Sequence, residues 1–365
     1  MPESLGIESL TVRGFRNLSE LELLPGPRFN VVHGDNGAGK SNILEAIAYL
    51  GALRSFRGGR TEDLVQRGRD VAALSMRVAG GWTTARTFRV VLRRTAAREV
   101  SIDGKRPRSA AAYLASVQTV VFHPGDVDLA AGGAEPRRAF LDRVLEQMDP
   151  TYGAALAAYG RALRSRNRLL REDRFERRAV AAYDELLASS GAVVGQTRAR
   201  LVDELAPLAQ RAFDEVSGER GALRIIYEPR VEPVVDSLRK ALERALDKDR
   251  ARGFTADGPH ADDLAVTIRD AIARRHASQG QHRAIALALK IAELDTLARR
   301  TQHVPVLLLD DVSSELDRSR NRRLFELLAR QGGQVFLTTT HPEFILLEGD
   351  RVDFRVESGM VTRTP

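Results

Sequence analysis

Eight consecutive residues constrain this chain more than any other feature. Gly34, Asp35, Asn36, Gly37, Ala38, Gly39, Lys40 and Ser41 fit the pattern GxxxxGK[ST]; the apolar run Phe29 to Val32 precedes them and a helical repeat of Ile43, Leu44, Ile47 and Leu50 follows. In that context the glycines let backbone N–H groups curl around phosphate oxygens, and the following helix adds the positive end of its dipole. Lys40 would supply a point charge to the β- and γ-phosphates, while the Ser41 hydroxyl would complete a Mg²⁺ shell. The alternative, a glycine-rich turn with an incidental lysine, does not need a strand before it and a helix after it. The first third of the chain is therefore expected to be α/β.

A phosphate cradle needs an acidic partner for the metal. The apolar stretch Val306 to Leu309 delivers Asp310 and Asp311 to the C-terminal end of an expected strand. Asp310 is the expected metal partner, and Asp311 stands where a water-activating base would; a solvated strand end or helix cap is the alternative reading of such a pair. Aspartate is one methylene shorter than glutamate, so slow hydrolysis is expected. Ser278, Gln279, Gly280 and Gln281 precede the apolar-faced helix Ile285 to Leu297, and alone they read equally as an N-cap. Their order gives them weight, because Asp310, then Ser313 to Asp317, then Thr338 to His341 follow in turn.

Around these motifs the chain divides by texture. Short strands (Ile7 to Val12, Leu21 to Leu24, Thr83 to Arg94, Glu99 to Ile102, Val117 to Phe122) surround a helix from Ser41 to Leu53. After Pro124, Ala, Leu, Glu and Arg stretches predict helices until about Arg275, broken at Gly191, Pro207, Gly218 to Gly221 and Pro229 to Pro233. Alternation returns with a strand Val304 to Asp310, a helix Asp317 to Ala329 and a strand Gln334 to Thr339. Residues 1–127 and 268–365 thus read as one α/β head interrupted by a mainly helical lobe, 128–267.

Charge follows the same division. The 365 residues carry 56 Lys+Arg against 49 Asp+Glu, a net charge of +7. The balance is +6 for residues 1–127, −1 for 128–267 and +2 for 268–365, which makes an anionic partner worth testing for the head. Arg54, Arg57 and Arg60 could reach DNA phosphates or form a solvated loop, and the arginine-rich Arg161 to Arg178 reads as a solvated helix face. The absence of cysteine excludes disulfides, thiolate zinc sites and cysteine nucleophiles; the seven histidines form no HExxH or HxH pattern, and no GxSxG elbow is present. Acidic residues near the start argue against a signal peptide, and the uncharged stretch Ser109 to Gly125 is too polar to span a bilayer, so a soluble, cytoplasmic protein without a membrane partner is expected.

The order of phosphate loop, Ser278 to Gln281, Asp310, Ser313 to Asp317 and His341 resembles the ATP-binding-cassette type of ATPase: Walker A, signature, Walker B, D-loop and switch. Within that class, Gly14-Phe-Arg-Asn17, GDNGAGKSNILEAI, Ser55-Phe-Arg57, Arg137-Arg-Ala-Phe-Leu-Asp142 and LLLDDVSSELD together resemble the RecF family, related to Rad50 and SMC heads. The resemblance implies an ATPase head with a compact lobe in place of a coiled coil. It further implies an ATP-dependent homodimer that binds DNA, acts with RecR and RecO and helps place RecA at gaps, with ATP and Mg²⁺ as cofactors. In such dimers the signature meets the nucleotide of the partner. The resemblance also puts Arg16 near the nucleotide and His341 in the switch role, with Asp311 and His341 as the catalytic pair, and leaves Gln118 as a Q-loop candidate that reads equally as a polar strand residue. A transporter's nucleotide-binding subunit shares the motif order, and a nuclease-associated Rad50-like head is a further alternative. The helical insert, SQGQ instead of LSGGQ and Asp311 instead of Glu weigh against the first, and the lack of a long coiled coil against the second.

Overall fold

A computed structural model describes residues 3–312, 318–330, 332–347 and 349–364; the expected D-loop, Ser313 to Asp317, lies outside the described residues. Two sheets organise the head. The first contains β1 (Gly6–Phe15), β2 (Leu18–Leu23), β4 (Val71–Ala79), β5 (Arg86–Arg93) and β6 (Glu99–Ile102), antiparallel in the order β2-β1-β4-β5-β6. The second contains β3 (Phe29–His33), β7 (Thr119–Phe122), β10 (Val306–Leu309), β11 (Val335–Thr339), β12 (Arg351–Glu357) and β13 (Met360–Thr364). Its order is β13-β12-β3-β11-β10-β7, parallel except for the β12–β13 pair.

The apolar run Val306 to Leu309 is unbroken because both faces of its strand are covered. Val306 and Leu308 enter the core shared with the antiparallel sheet and helix α1 (Lys40–Ala52), whereas Leu307 and Leu309 enter the core shared with the lobe. Val32 and Val31 divide in the same way on β3. The period of two thus assigns each side chain to a core, and α1 is held between the sheets.

Residues 128–267 contain helices α2 (Ala134–Met148), α3 (Pro150–Leu170), α4 (Arg177–Ser217) and α5 (Val235–Arg252), with strands β8 (Leu223–Glu228) and β9 (Asp263–Ile268) paired antiparallel. The strands correct the expectation of continuous helix to about Arg275. Two expected breaks are also absent, since α4 runs for 41 residues through Gly191 and Pro207 before Gly218 ends it in the left-handed conformation. Gly191 serves close packing: a Cβ there would lie 3.1 Å from Tyr159 and 3.4 Å from both Leu238 and Pro259. Pro207 is exposed one turn after the exposed Asp203, where solvent can bond the carbonyl that proline leaves unpaired.

Arg161 to Arg178 is likewise not one solvated face. Helix α3 ends at Leu170, and Arg166 is fully buried, bonding Asp184 of α4 at 2.6 Å and Asp249 of α5 at 2.7 Å. A single apolar cluster runs from one face of the parallel sheet through α2, α4, β8, β9 and helix α6 (Gln279–Thr301), so the motif-bearing α6 packs against head and lobe together.

Candidate nucleotide site

The loop from Gly34 to Gly39 joins β3 to α1 and adopts positive φ at Gly34 (149°), Gly37 (81°) and Gly39 (118°). A Cβ on Gly34 would stand 2.3 Å from the Val356 carbonyl oxygen of β12, and one on Gly39 would stand 2.8 Å from Asn17 Oδ1, so glycine is required at both positions. Lys40 Nζ donates to the carbonyls of Gly34 (2.7 Å) and Asp35 (2.9 Å), folding back over its own loop. Burial lowers the Lys40 pKa, and the carboxylates of Asp311, Asp310 and Asp35 oppose that shift and favour the ammonium.

Sheet pairing brings the acidic pair to this loop from 270 residues away in sequence. Ser41 Oγ donates to Asp310 Oδ1 at 2.7 Å, and Thr338 Oγ1 donates to the same oxygen at 2.7 Å. Thr338 Oγ1 also accepts the Asp311 N–H at 2.9 Å, so one hydroxyl ties the Asp310 carboxylate to the Asp311 backbone. Asp311 adopts φ 51°, a left-handed conformation that aspartate tolerates better than most residues, and it lines a cleft with Asn36, Lys40, Ser41, Asn42 and Arg57. Ser41 and Asp310 offer hard oxygens side by side, the donor chemistry that Mg²⁺ takes together with phosphate oxygens.

The signature residues stand apart from this cleft. Ser278 is the N-cap of α6: its Oγ accepts from Gln281 N at 3.2 Å while Gln281 Oε1 accepts from Ser278 N at 2.9 Å. The N-cap reading is thus met by these residues. Ser278 and Gln279 are exposed, Gly280 packs against Arg320, Gln281 Nε2 donates to Glu219 at 3.1 Å, and none of the four lines the cleft of its own chain. His341 does not line it either; the imidazole lies 3.0 Å from Glu343 and against Phe344.

Comparison with known proteins agrees with these motifs. The model of the RecF/RecN/SMC N-terminal domain matches residues 6–356. The "DNA replication and repair protein RecF" of Anaeromyxobacter sp. (strain Fw109-5) is 40% identical, with 97% of this chain and 98% of that protein covered. That of Myxococcus xanthus is 39% identical over 91% of this chain and 90% of the relative. The chain belongs to the RecF family. A solved structure of the recombination mediator protein RecF with ATP superimposes with a TM-score of 0.92 at 30% identity, covering 100% of this chain and 99% of the other. The Smc head of Pyrococcus furiosus, at 14% identity and a TM-score of 0.58, shares the fold.

Several RecF-motif residues lie elsewhere than expected. Arg16 is clamped bidentately on the fully buried Glu45 of α1 (2.7 and 3.0 Å) and does not line the cleft. Gln118 precedes β7 at the strand end opposite the phosphate loop, 3% exposed, donating to the Ala115 and Gln147 carbonyls; it is a core residue, so the Q-loop reading is withdrawn. Arg54, Arg57 and Arg60 form no single surface. Arg54 pairs with Glu146, Arg57 bonds Asn42 (2.7 Å) at the cleft and pairs with Glu45 (3.6 Å), and Arg60, the most exposed of the three, pairs with Glu62 at 3.4 Å.

Two supporting residues were missed. Asn17 donates to the Ala38 carbonyl at 3.2 Å and accepts from Asn42 at 2.7 Å, bracing the loop from the other sheet. Glu45 collects Arg16, Arg57 and Ser55; a carboxylate between Leu44 and Ala46, inside the otherwise uncharged run Ile43 to Leu50, was the signal available.

Proposed function

We propose that this chain is an ATP-switched, DNA-binding recombination mediator of the cytoplasm. It pairs head-to-tail on ATP, works with RecR and RecO and helps place RecA at gapped DNA, while slow hydrolysis releases it. One observation carries this reading: the phosphate loop and Asp310 form one half of a site within the chain, while the signature at the N-terminus of α6 is exposed outside that half. A helix N-terminus turned outward suits a γ-phosphate presented by a second copy. A RecF relative 40% identical across the chain favours this reading over the transporter and Rad50-like alternatives.

Lys40 would exchange the Gly34 and Asp35 carbonyls for phosphate oxygens, and the loop N–H groups would hold the rest of the triphosphate. Mg²⁺, held by Ser41 and Asp310, would supply positive charge to the β- and γ-phosphate oxygens. Asp311, whose backbone N–H is held by Thr338, would position or deprotonate the attacking water, with His341 brought toward the γ-phosphate from the switch segment. Asp311→Asn should therefore keep nucleotide affinity within about threefold, slow turnover by about 10²-fold or more and lengthen the life of the ATP-bound pair. Single-turnover hydrolysis with sedimentation checks this, and unchanged turnover moves the role away from Asp311.

Pairing has its own test. Ser278→Arg should leave ATP binding by the monomer intact and prevent ATP-induced pairing. It also removes an N-cap that contributes about 1 kcal/mol, so Ser278→Asp, which caps equally well yet repels phosphate, serves as control. Sedimentation with and without ATP and duplex DNA reads both variants. Loss of ATP binding by the monomer would assign Ser278 to its own chain's site.

A further inference from the structure

The basic excess of the head is concentrated in one stretch of the antiparallel sheet. Residues 86–110 carry eight basic side chains against two acidic ones, an excess of six that equals the whole excess of residues 1–127. They comprise β5, β6 and the turn and loop after β6, at the edge of the antiparallel sheet. An open groove of about 730 Å³ follows this edge, lined by Arg89, Arg98, Arg106 and Arg108 with Ser101 and Ser109.

The cations in this groove differ from those near α1 in what they bond. Arg89 faces outward on β5 between Ser75 and Ser101 in register, and it forms no ion pair with any described residue. Arg106 and Arg108, both exposed, form none either. Arg98 spends one terminal nitrogen on the Tyr49 hydroxyl and the Leu53 carbonyl, which fixes its stem against α1. Among the described residues the one acidic side chain lining the groove, Glu99, is paired with Arg93 at 3.0 Å.

We infer that this groove is where the protein holds the phosphodiester backbone of duplex DNA; the inference rests on the DNA-binding reading above and gives it a location. Planar guanidinium forks match phosphate oxygens bidentately, and small serines between them let a backbone come close. Among the described residues the only aromatic lining the groove, Tyr113, is fully buried, so they offer no surface for stacking unpaired bases. An acidic protein partner would want exposed apolar anchors, and none of the exposed large hydrophobic residues lines the groove. The contact reads backbone and not sequence.

The test uses the full-length protein with Arg89, Arg106 and Arg108 changed together to Ala, and fluorescence anisotropy of a 30-bp duplex with ATP over a salt series. Each lost phosphate contact removes about 0.9 from the slope of log K against log salt, so a fall of about 2 to 3 is expected, with at least tenfold weaker binding at about 0.1 M salt. ATP affinity and DNA-free ATP turnover should be unchanged. Wild-type DNA affinity and slope in the variant would overturn the location while leaving DNA binding standing. No duplex binding by the wild-type protein with ATP would instead remove the functional reading beneath it. A poly-glutamate peptide that binds wild type, loses binding to the variant and fails to compete with DNA would assign the groove to an acidic protein and overturn the inference.

Discussion

Lys40→Ala should weaken ATP binding by about 100-fold or more while the fold survives. Each hydrogen bond to a charged group contributes roughly 1.5–3 kcal/mol, and the lysine would serve two phosphates of the cradle at once. The cost to the fold is small because the partners of Nζ are two loop carbonyls, Gly34 and Asp35, which solvent can bond in its place. Calorimetric titration with ATP and a thermal melt decide the matter: strong binding by the variant would refute the phosphate-loop assignment, and a collapsed melt would make Lys40 a structural residue. Lys40→Arg should not restore wild-type affinity, since the bulkier guanidinium must fit a cradle shaped by glycines at Gly37 and Gly39.

Arg166→Ala should cost about 3–5 kcal/mol of stability, the effect of removing one partner from a buried ion pair. Its guanidinium joins three lobe helices, bonding Asp184, Asp249 and Thr255 Oγ1 (2.8 Å) with no exposure of its own. Without it two carboxylates face each other in the core. Burial already raises the Asp184 pKa despite the arginine, so the folded state binds protons more readily there than the unfolded chain does. Stability from such a group is greatest at low pH and falls as pH rises through the folded pKa. The deficit of Arg166→Ala should therefore be smaller at pH 5.5 than at pH 8. Urea unfolding at the two pH values measures this, and an equal deficit would place the damage in packing instead of charge.

The two residues differ in how far sequence alone could reach them. The phosphate loop was readable because its requirement is local: positive φ at Gly34, Gly37 and Gly39, followed by Lys40 at a helix start, is met within eight residues. Asp310 and Asp311 were readable for a similar reason, since a four-residue apolar strand doubly covered by cores announces where it ends. Ser278 to Gln281 gained meaning from order along the chain, and the N-cap geometry that sequence also allowed is present.

Tertiary structure decided whatever depended on partners distant in sequence. Arg166 looks like its solvated neighbours until α4 and α5 deliver Asp184 and Asp249, 18 and 83 residues on. Gly191 and Pro207 carry breaking signals that the packing of α3 and α5 and the exposure of one helix face override. Gln118, Arg16 and Arg54 show the same limit, because a polar side chain bonds whatever the fold brings within about 3 Å, and composition cannot say whether that is ligand, water or protein. The chain's charge was legible as a sum. That Arg89, Arg106 and Arg108 form no ion pair with a described carboxylate emerged only when the sheet edge was built, since pairing is a property of distance and not of count.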